Sequence, residues 1–330
     1  MSTLLVTIIR FLAITLSLVS AHQDYEIGAR SPGAKPNIQH CMSKLNSPGR
    51  EIRNVQRRAE LASHLRKREV TRQGQNLTPL EASHESDKDF TLSTPESIIF
   101  ASNGSCALSY QATVGNQYVA GEYIRHHVTE GQPGVPLTIL LEILDWSTCD
   151  PVEDVFVEVW SCNATGVYGG VSTGNGTSDK DNTMLRGVQQ TDSEGVVTFD
   201  TIFPGHYSVR ANHIHLMVHT KATASAKNGT LLDLSASYVG QVFFDQDLVH
   251  EVEALPAYAA NEQVLTLNEE DGLVQKELEA GSNPFMDYVR LGHNIEDGLL
   301  AWYTFGVDMS ARVHATPAAY LHSGDGSSDH

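Results

Sequence analysis

The chain is 330 residues long, 41% hydrophobic and 19% charged, with 40 Asp and Glu against 22 Lys and Arg for a net charge of −18. An acidic body of this kind repels phosphate, which excludes a nucleic-acid-binding role, and the length suffices for one sizeable core. The four cysteines show no C-x-x-C spacing, so they read as two disulfides rather than as a thiolate metal site.

In chain order, residues 1–21 come first: an apolar run interrupted by Arg10 and ending in Val19-Ser20-Ala21. Small residues closing an apolar run predict a cleaved secretory leader. An uncleaved membrane anchor is the alternative, at a cost of roughly 2.5–3.5 kcal/mol for the arginine near its middle. Five N-x-S/T tripeptides, at Asn76, Asn103, Asn163, Asn175 and Asn228, point to the same secretory route. No later segment is apolar enough to span a bilayer, so a secreted, extracellular protein without membrane attachment is expected.

Residues 22–75 hold 11 Lys and Arg against 5 Asp and Glu, whereas residues 76–330 hold 10 against 35. A basic front segment on an acidic body implies docking within the chain or between subunits. Ile52, Val55, Ala59, Ala62 and Leu65 recur at helical spacing, and Pro48-Gly49 divides the helical stretch in two. These helices either cover their own core or form a homodimer. Arg66-Lys67-Arg68 reads as a solvated basic face or as a processing site, which would make the segment a propeptide. Residues 76–101 are polar and form a linker.

From 102 to 316 the pattern becomes β-like. Strands are predicted over Pro136–Leu144, Val155–Trp160, Val196–Phe199, His213–Val218 and Tyr238–Phe244, with a weaker one over Val264–Leu267. Short strands between Gly, Asp and Asn turns indicate a mainly β fold, a β-sandwich with long loops behind a short helical segment. Trp146, Trp160 and Trp302 read as core. Cys149 and Cys162 flank one strand and are the favoured pair, leaving Cys41 for Cys106. The Ser- and Gly-rich tail, 317–330, is expected to be disordered.

His213-Ile214-His215 is the first chemical signal. On a strand, residues two apart share a face and lie about 6–7 Å apart along the chain, so both imidazoles can reach one ion while Ile214 packs behind. Alone, the pair is a weak signal. Its surroundings add Tyr207 in Pro204-Gly205-His206-Tyr207-Ser208-Val209-Arg210, and Tyr168 at the end of the run from Trp160 through Cys162, Asn163, Ala164 and Gly166. His126-His127, in a polar loop, and His206 are not read as ligands.

With those motifs in hand, residues 102–310 resemble the intradiol ring-cleavage dioxygenases, particularly the secreted fungal-type members. Gly131-Gln132-Pro133-Gly134-Val135-Pro136-Leu137, Leu185-Arg186-Gly187-Val188-Gln189 and Thr191-Asp192 with Gly195 fall in the same order. The resemblance implies one non-haem Fe(III) per chain, held by Tyr168, Tyr207, His213 and His215. Phenolate oxygens are hard donors suited to that ion. It further implies that both atoms of O2 enter a catecholic ring, which opens between its hydroxyl-bearing carbons to a muconate-type product. Tyr207 would leave the metal as substrate binds and act as a base, Arg210 would stabilise negative charge on the substrate, and Gln241 would lie near the oxygen-binding space. Ser161, Gly169 and the segment Val114–Tyr118 depart from the family pattern around the pocket. The rival readings are a noncatalytic secreted β-sandwich binding protein and a zinc hydrolase.

Overall fold

In a computed structural model of the protein, the described residues are 38–65, 117–171, 182–220 and 229–321, with 80, 83–85, 106–107, 115 and 224–225 between them. The leader, Arg66-Lys67-Arg68, the tripeptides at Asn76, Asn103, Asn175 and Asn228, and the Cys106 side chain lie outside them. The principal elements are helix α1 (Pro48–Leu65), strands β1 (Pro136–Asp145), β2 (Phe156–Trp160), β3 (Arg186–Gln190), β4 (Val196–Ile202), β5 (His213–His219) and β6 (Tyr238–Phe243), helices α2 (Gln246–Glu253) and α3 (Gly272–Glu279), and strands β7 (Asp287–Arg290) and β8 (Leu299–Val307).

The strands form two sheets. One runs β8-β1-β4, with β7 and the short strand Cys106–Ala107 on the free side of β8; the other runs β6-β5-β2-β3. Their inner faces supply one core. Ile139, Leu141 and Ile143 of β1 and Tyr303, Phe305 and Val307 of β8 meet Val157, Val159, Ile214, Leu216 and Val242 of the opposite sheet. The sandwich expected from the strand pattern is therefore present. Both faces of β1, β5 and β8 are buried, which is why they read as continuous apolar runs.

The outer face of the β8-β1-β4 sheet is covered by α1. Val55, Ala59 and Ala62 pack on Leu140, Val196, Leu300 and Trp302. Pro48 begins this helix, a position where its missing N–H costs nothing. Arg50 donates to Glu142 Oε1 at 2.8 Å inside the interface, while Arg53 and Arg57 pair with Glu194 and Asp192 at its rim. The basic front segment thus docks on the acidic body of its own chain. Of the two readings left open for the N-terminal helices, α1 takes the first and covers the sheet of its own chain.

Several expectations change. Cys41 pairs with Cys149, their Cα atoms 5.4 Å apart, and Cys162 is a buried free thiol. Strand β2 separates Cys149 from Cys162, and at about 3.3 Å per residue its five residues exceed the 4.4–6.8 Å Cα spacing of a disulfide. Val264–Leu267 joins no ladder, and Val264 is 78% exposed. Residues 317–321, expected in the disordered tail, include the strand Ala319–Tyr320, which pairs with Val119–Ala120. The linker is partly docked too: the backbone N–H of His84 donates to Asp245 Oδ2 at 2.6 Å. Trp160 and Trp302 are core residues as expected, whereas Trp146 is partly exposed and meets the His40 ring edge-on. No described helix is long and apolar enough to cross a membrane.

Candidate metal centre

The site lies on the outer face of the β6-β5-β2-β3 sheet. Ile214 enters the core, so His213 and His215 point the other way, as the two-residue strand period requires. Register then decides their neighbours. Gln241, His215, Trp160 and Arg186 occupy one row across the four strands. Trp160 stacks on the His215 ring at 4.7 Å and 8° between planes, which holds the imidazole rigidly.

Two loops deliver the tyrosines above this row. Tyr168 follows β2 on a turn built by Asn163, whose Oδ1 accepts from Thr165 N and Val167 N at 3.0 Å each. Its amide nitrogen donates to Gln132 Oε1 at 3.1 Å, so the Asn163 side chain serves the turn. Tyr207 sits on the turn before β5. The loops pack backbone against backbone at two glycines. A Cβ on Gly166 (φ +78°) would lie 2.2 Å from His206 O, and one on Gly205 would lie 2.5 Å from Asn163 O. Only glycine allows that approach.

Four donor atoms converge. Tyr168 Oη lies 3.1 Å from His215 Nε2 and 3.5 Å from His213 Nε2; Tyr207 Oη is 3.4 Å from His213 Nε2, and the two Nε2 atoms are 3.1 Å apart. Four donors at about 2.0–2.1 Å from one first-row ion, with angles of about 90–120°, would be separated by about 2.9–3.5 Å. The residues therefore fit a single transition-metal ion. His213 Nδ1–H donates to Ala211 O at 2.6 Å, which leaves its Nε2 lone pair free. Burial, reinforced by Arg210, lowers the His213 pKa to about 3, and burial plus His213 holds His215 well below the usual histidine value. Both rings are neutral, as ligation requires.

The phenols behave differently from each other. Tyr168 is buried, and that burial, with Tyr207 nearby, pushes its pKa well above 10. Arg186 lies behind it, its guanidinium 5.8 Å from the Tyr168 ring centre, donating to Gly169 O at 2.8 Å and to Gln117 O at 2.7 Å. Tyr207 is half-buried; burial raises its phenol to about 12 while Arg210 pulls the other way. The Arg210 guanidinium reaches Tyr207 Oη at 3.5 Å and donates to Gln241 Oε1 and, through Nε, to Asp271 Oδ2 at 2.8 Å. The amide nitrogen of Gln241 is 3.3 Å from His215 Nδ1. All six residues singled out in the sequence are thus brought together.

Four further residues carry no isolated sequence signal. Trp160 and Arg186 stand inside motifs, but only register reveals their contacts. Glu253 ends α2 and Asp271 stands at the loop end that caps α3, both outside every motif. Glu253 accepts from Asn212 Nδ2 at 2.7 Å and lies 2.9 Å from His206 Nδ1. Burial opposes protonation of His206, but Glu253 and the Gln263 carbonyl outweigh it and raise its pKa. His206 is therefore a brace of the Tyr207 turn and contacts no donor atom of the centre. Away from the site, His127 Nδ1 lies 2.9 Å from Asp200 Oδ2 at the surface, with His126 beside it.

Two phenols and two neutral imidazoles facing one point, carried on a β-sandwich, form a donor set that suits a hard transition-metal ion able to displace the phenol protons. The family model described as Dioxygenase matches residues 112–277, just over half of the chain. Among solved structures, the chain is similar to an intradiol ring-cleavage dioxygenase from Tetranychus urticae, at 25% identity and a TM-score of 0.51, over 65% of this chain and 99% of that one. It is also similar to a catechol 1,2-dioxygenase from Pseudomonas arvilla C-1, at 18% identity and a TM-score of 0.40, over 65% of this chain and 68% of that one. No curated protein matches the chain. The chain belongs to the dioxygenase family, among the intradiol ring-cleavage enzymes. It is an oxidoreductase of a ring-cleaving dioxygenase family that generally depends on non-haem iron.

Proposed function

We propose that this protein is an extracellular Fe(III) dioxygenase that opens a catecholic ring between its two hydroxyl-bearing carbons, with Tyr168, Tyr207, His213 and His215 as the metal ligands. The observation that carries the reading is the convergence of four donor atoms, with Tyr168 Oη and the two imidazole Nε2 atoms 3.1–3.5 Å apart and Tyr207 Oη 3.4 Å from His213 Nε2. A noncatalytic binding sandwich would have no use for four such residues buried together, and two phenolates disfavour zinc. In the overall reaction both oxygen atoms end in the two carboxylates of a muconate-type product, so no other oxidant is needed.

Ferric iron, when bound, would supply a Lewis acid that ionises the phenols and activates a chelated catecholate toward O2. The protein's own groups do the rest. Tyr168, buried and fixed by its contacts with Arg186, is the permanent phenolate. Tyr207 is less completely buried than Tyr168 and sits on a short turn, which suits it to move aside and take a proton from a substrate hydroxyl at its Oη. Arg210 then faces the position Tyr207 has left, where its fixed positive charge stabilises the substrate oxygen. Trp160 walls off the inner side of His215 and excludes water there.

Secretion is supported by the Cys41–Cys149 disulfide, which belongs to an oxidising compartment, and by the tripeptide sequons other than Asn163. The decisive experiment measures iron content, visible colour and oxygen uptake across a panel of catechols. Tyrosinate-to-Fe(III) charge transfer should make the protein red-brown, with one iron per chain. A colourless protein that stays inert after iron loading would overturn the proposal.

A further inference from the structure

The turn that carries Tyr207 and leads into β5 is gripped from outside by one carboxylate. Asp271 is fully buried and lies at the start of α3. Its two oxygens have separate duties. Oδ1 accepts from Leu273 N at 2.8 Å and Val274 N at 3.3 Å, which caps the helix. Oδ2 accepts from Arg210 Nε at 2.8 Å and from Ala211 N at 2.9 Å.

Both residues held by Oδ2 lead into the donor cluster. Ala211 O accepts from His213 Nδ1, and the other two guanidinium nitrogens of Arg210 reach Tyr207 Oη and Gln241 Oε1. Asp271 itself touches none of the four donors. An arginine with its Nε locked to a fixed carboxylate has lost most of its rotamer freedom, so its two terminal nitrogens point in set directions. The helix cap makes the anchor rigid in turn, because moving Oδ2 would also pull Oδ1 off two backbone N–H groups.

From this division of oxygens we infer that Asp271 is a positioning residue that aims Arg210 at the substrate oxygen. The inference rests on the reading of the site given above and deepens it. It assigns the precision of Arg210 to helix α3, outside the strand that bears the histidines. A helix cap with no bearing on turnover is the competing role.

The two roles separate because they use different oxygens. Asp271→Asn keeps an oxygen for Leu273 and Val274, since Asn caps about as well as Asp. Its NH2 group then faces the N–H donors of Arg210 and Ala211, and the charge is lost. Iron content and colour should stay, while kcat falls roughly 10- to 100-fold, the value of a hydrogen bond to a charged group. KM should change much less. The decisive arm repeats the substitution in an Arg210→Met background, where the effect on kcat should almost vanish because no guanidinium remains to be aimed. In metal-free protein, amide exchange at Ala211 should accelerate in the Asn variant, a readout independent of turnover. Asp271→Ser, which retains a capping oxygen but cannot reach Arg210, serves if the Asn variant does not fold.

An unchanged kcat in either variant overturns the inference, as does the same loss of kcat with and without Arg210. If the wild-type protein is itself colourless and inert, the reading of the site fails and the inference falls with it. Additive losses in a coloured, active protein remove the role of Asp271 alone.

Discussion

Replacing Arg210 by methionine tests the electrostatics of the centre most directly. The side chain is 5% exposed and makes three contacts, to Asp271, Tyr207 and Gln241. As a fixed cation beside developing negative charge, it should be worth about 2.7–4 kcal/mol in the transition state, so kcat should fall about 10²–10³-fold. Stability should fall too, because Asp271 stays buried. Breaking such a pair costs about 3–5 kcal/mol, and the backbone donors left on Asp271 place this case near 3. At about 2–4 °C per kcal/mol, Tm should drop by about 6–12 °C. The four donor atoms are untouched, so iron content and charge-transfer colour should persist. Steady-state oxygen uptake, metal analysis and a thermal melt measure all three quantities. Unchanged turnover would refute the charge-stabilising role. Loss of colour at an unchanged Tm would show that Arg210 serves the ligands instead of the substrate.

Tyr168→Phe should lose iron and colour together, since the buried phenol has no substitute oxygen nearby; metal analysis showing full occupancy in this variant would contradict its assignment as a ligand. The paired substitution Cys41→Ser and Cys149→Ser opens a loop with a sequence separation of 108 residues and should cost about 2–5 kcal/mol in chemical denaturation. Peptide mapping should find Cys162 as a free thiol, and a Cys149–Cys162 linkage would contradict the fold. Burial lowers the pKa of His84, but its hydrogen bond to Asp245 and the charge of that residue outweigh burial and raise the folded value above 6.5. The stabilisation is therefore complete below the unfolded pKa and lost as pH rises through the folded one. Urea midpoints should drop more between about pH 6 and pH 9 in the wild type than in His84→Gln, and equal drops would contradict the pairing.

Local chemistry made several features legible before any fold was considered. The strand period put His213 and His215 on one face with Ile214 behind them, and apolar runs marked β1, β2, β5 and β6 because burial on one or both faces selects such residues. The spacing of Ile52, Val55, Ala59 and Ala62 marked a helix whose apolar side needed a partner. Tyr168 and Tyr207 were recognisable as members of motifs, since their glycines are required where the two loops touch.

Other features depend on what lies across space, and no local pattern encodes that. Cysteine pairing followed chain path: β2 carries Cys162 away from Cys149, while the N-terminal segment brings Cys41 to it. Trp160 looked like ordinary core until register set it against His215. Asp271 reaches Arg210 across 61 residues, from the end of a loop with no periodicity to announce it. The donors of the proposed metal centre were thus written in short segments, whose chemistry is local. The groups that hold and aim those donors were chosen by sheet register and helix docking, which only the folded chain determines.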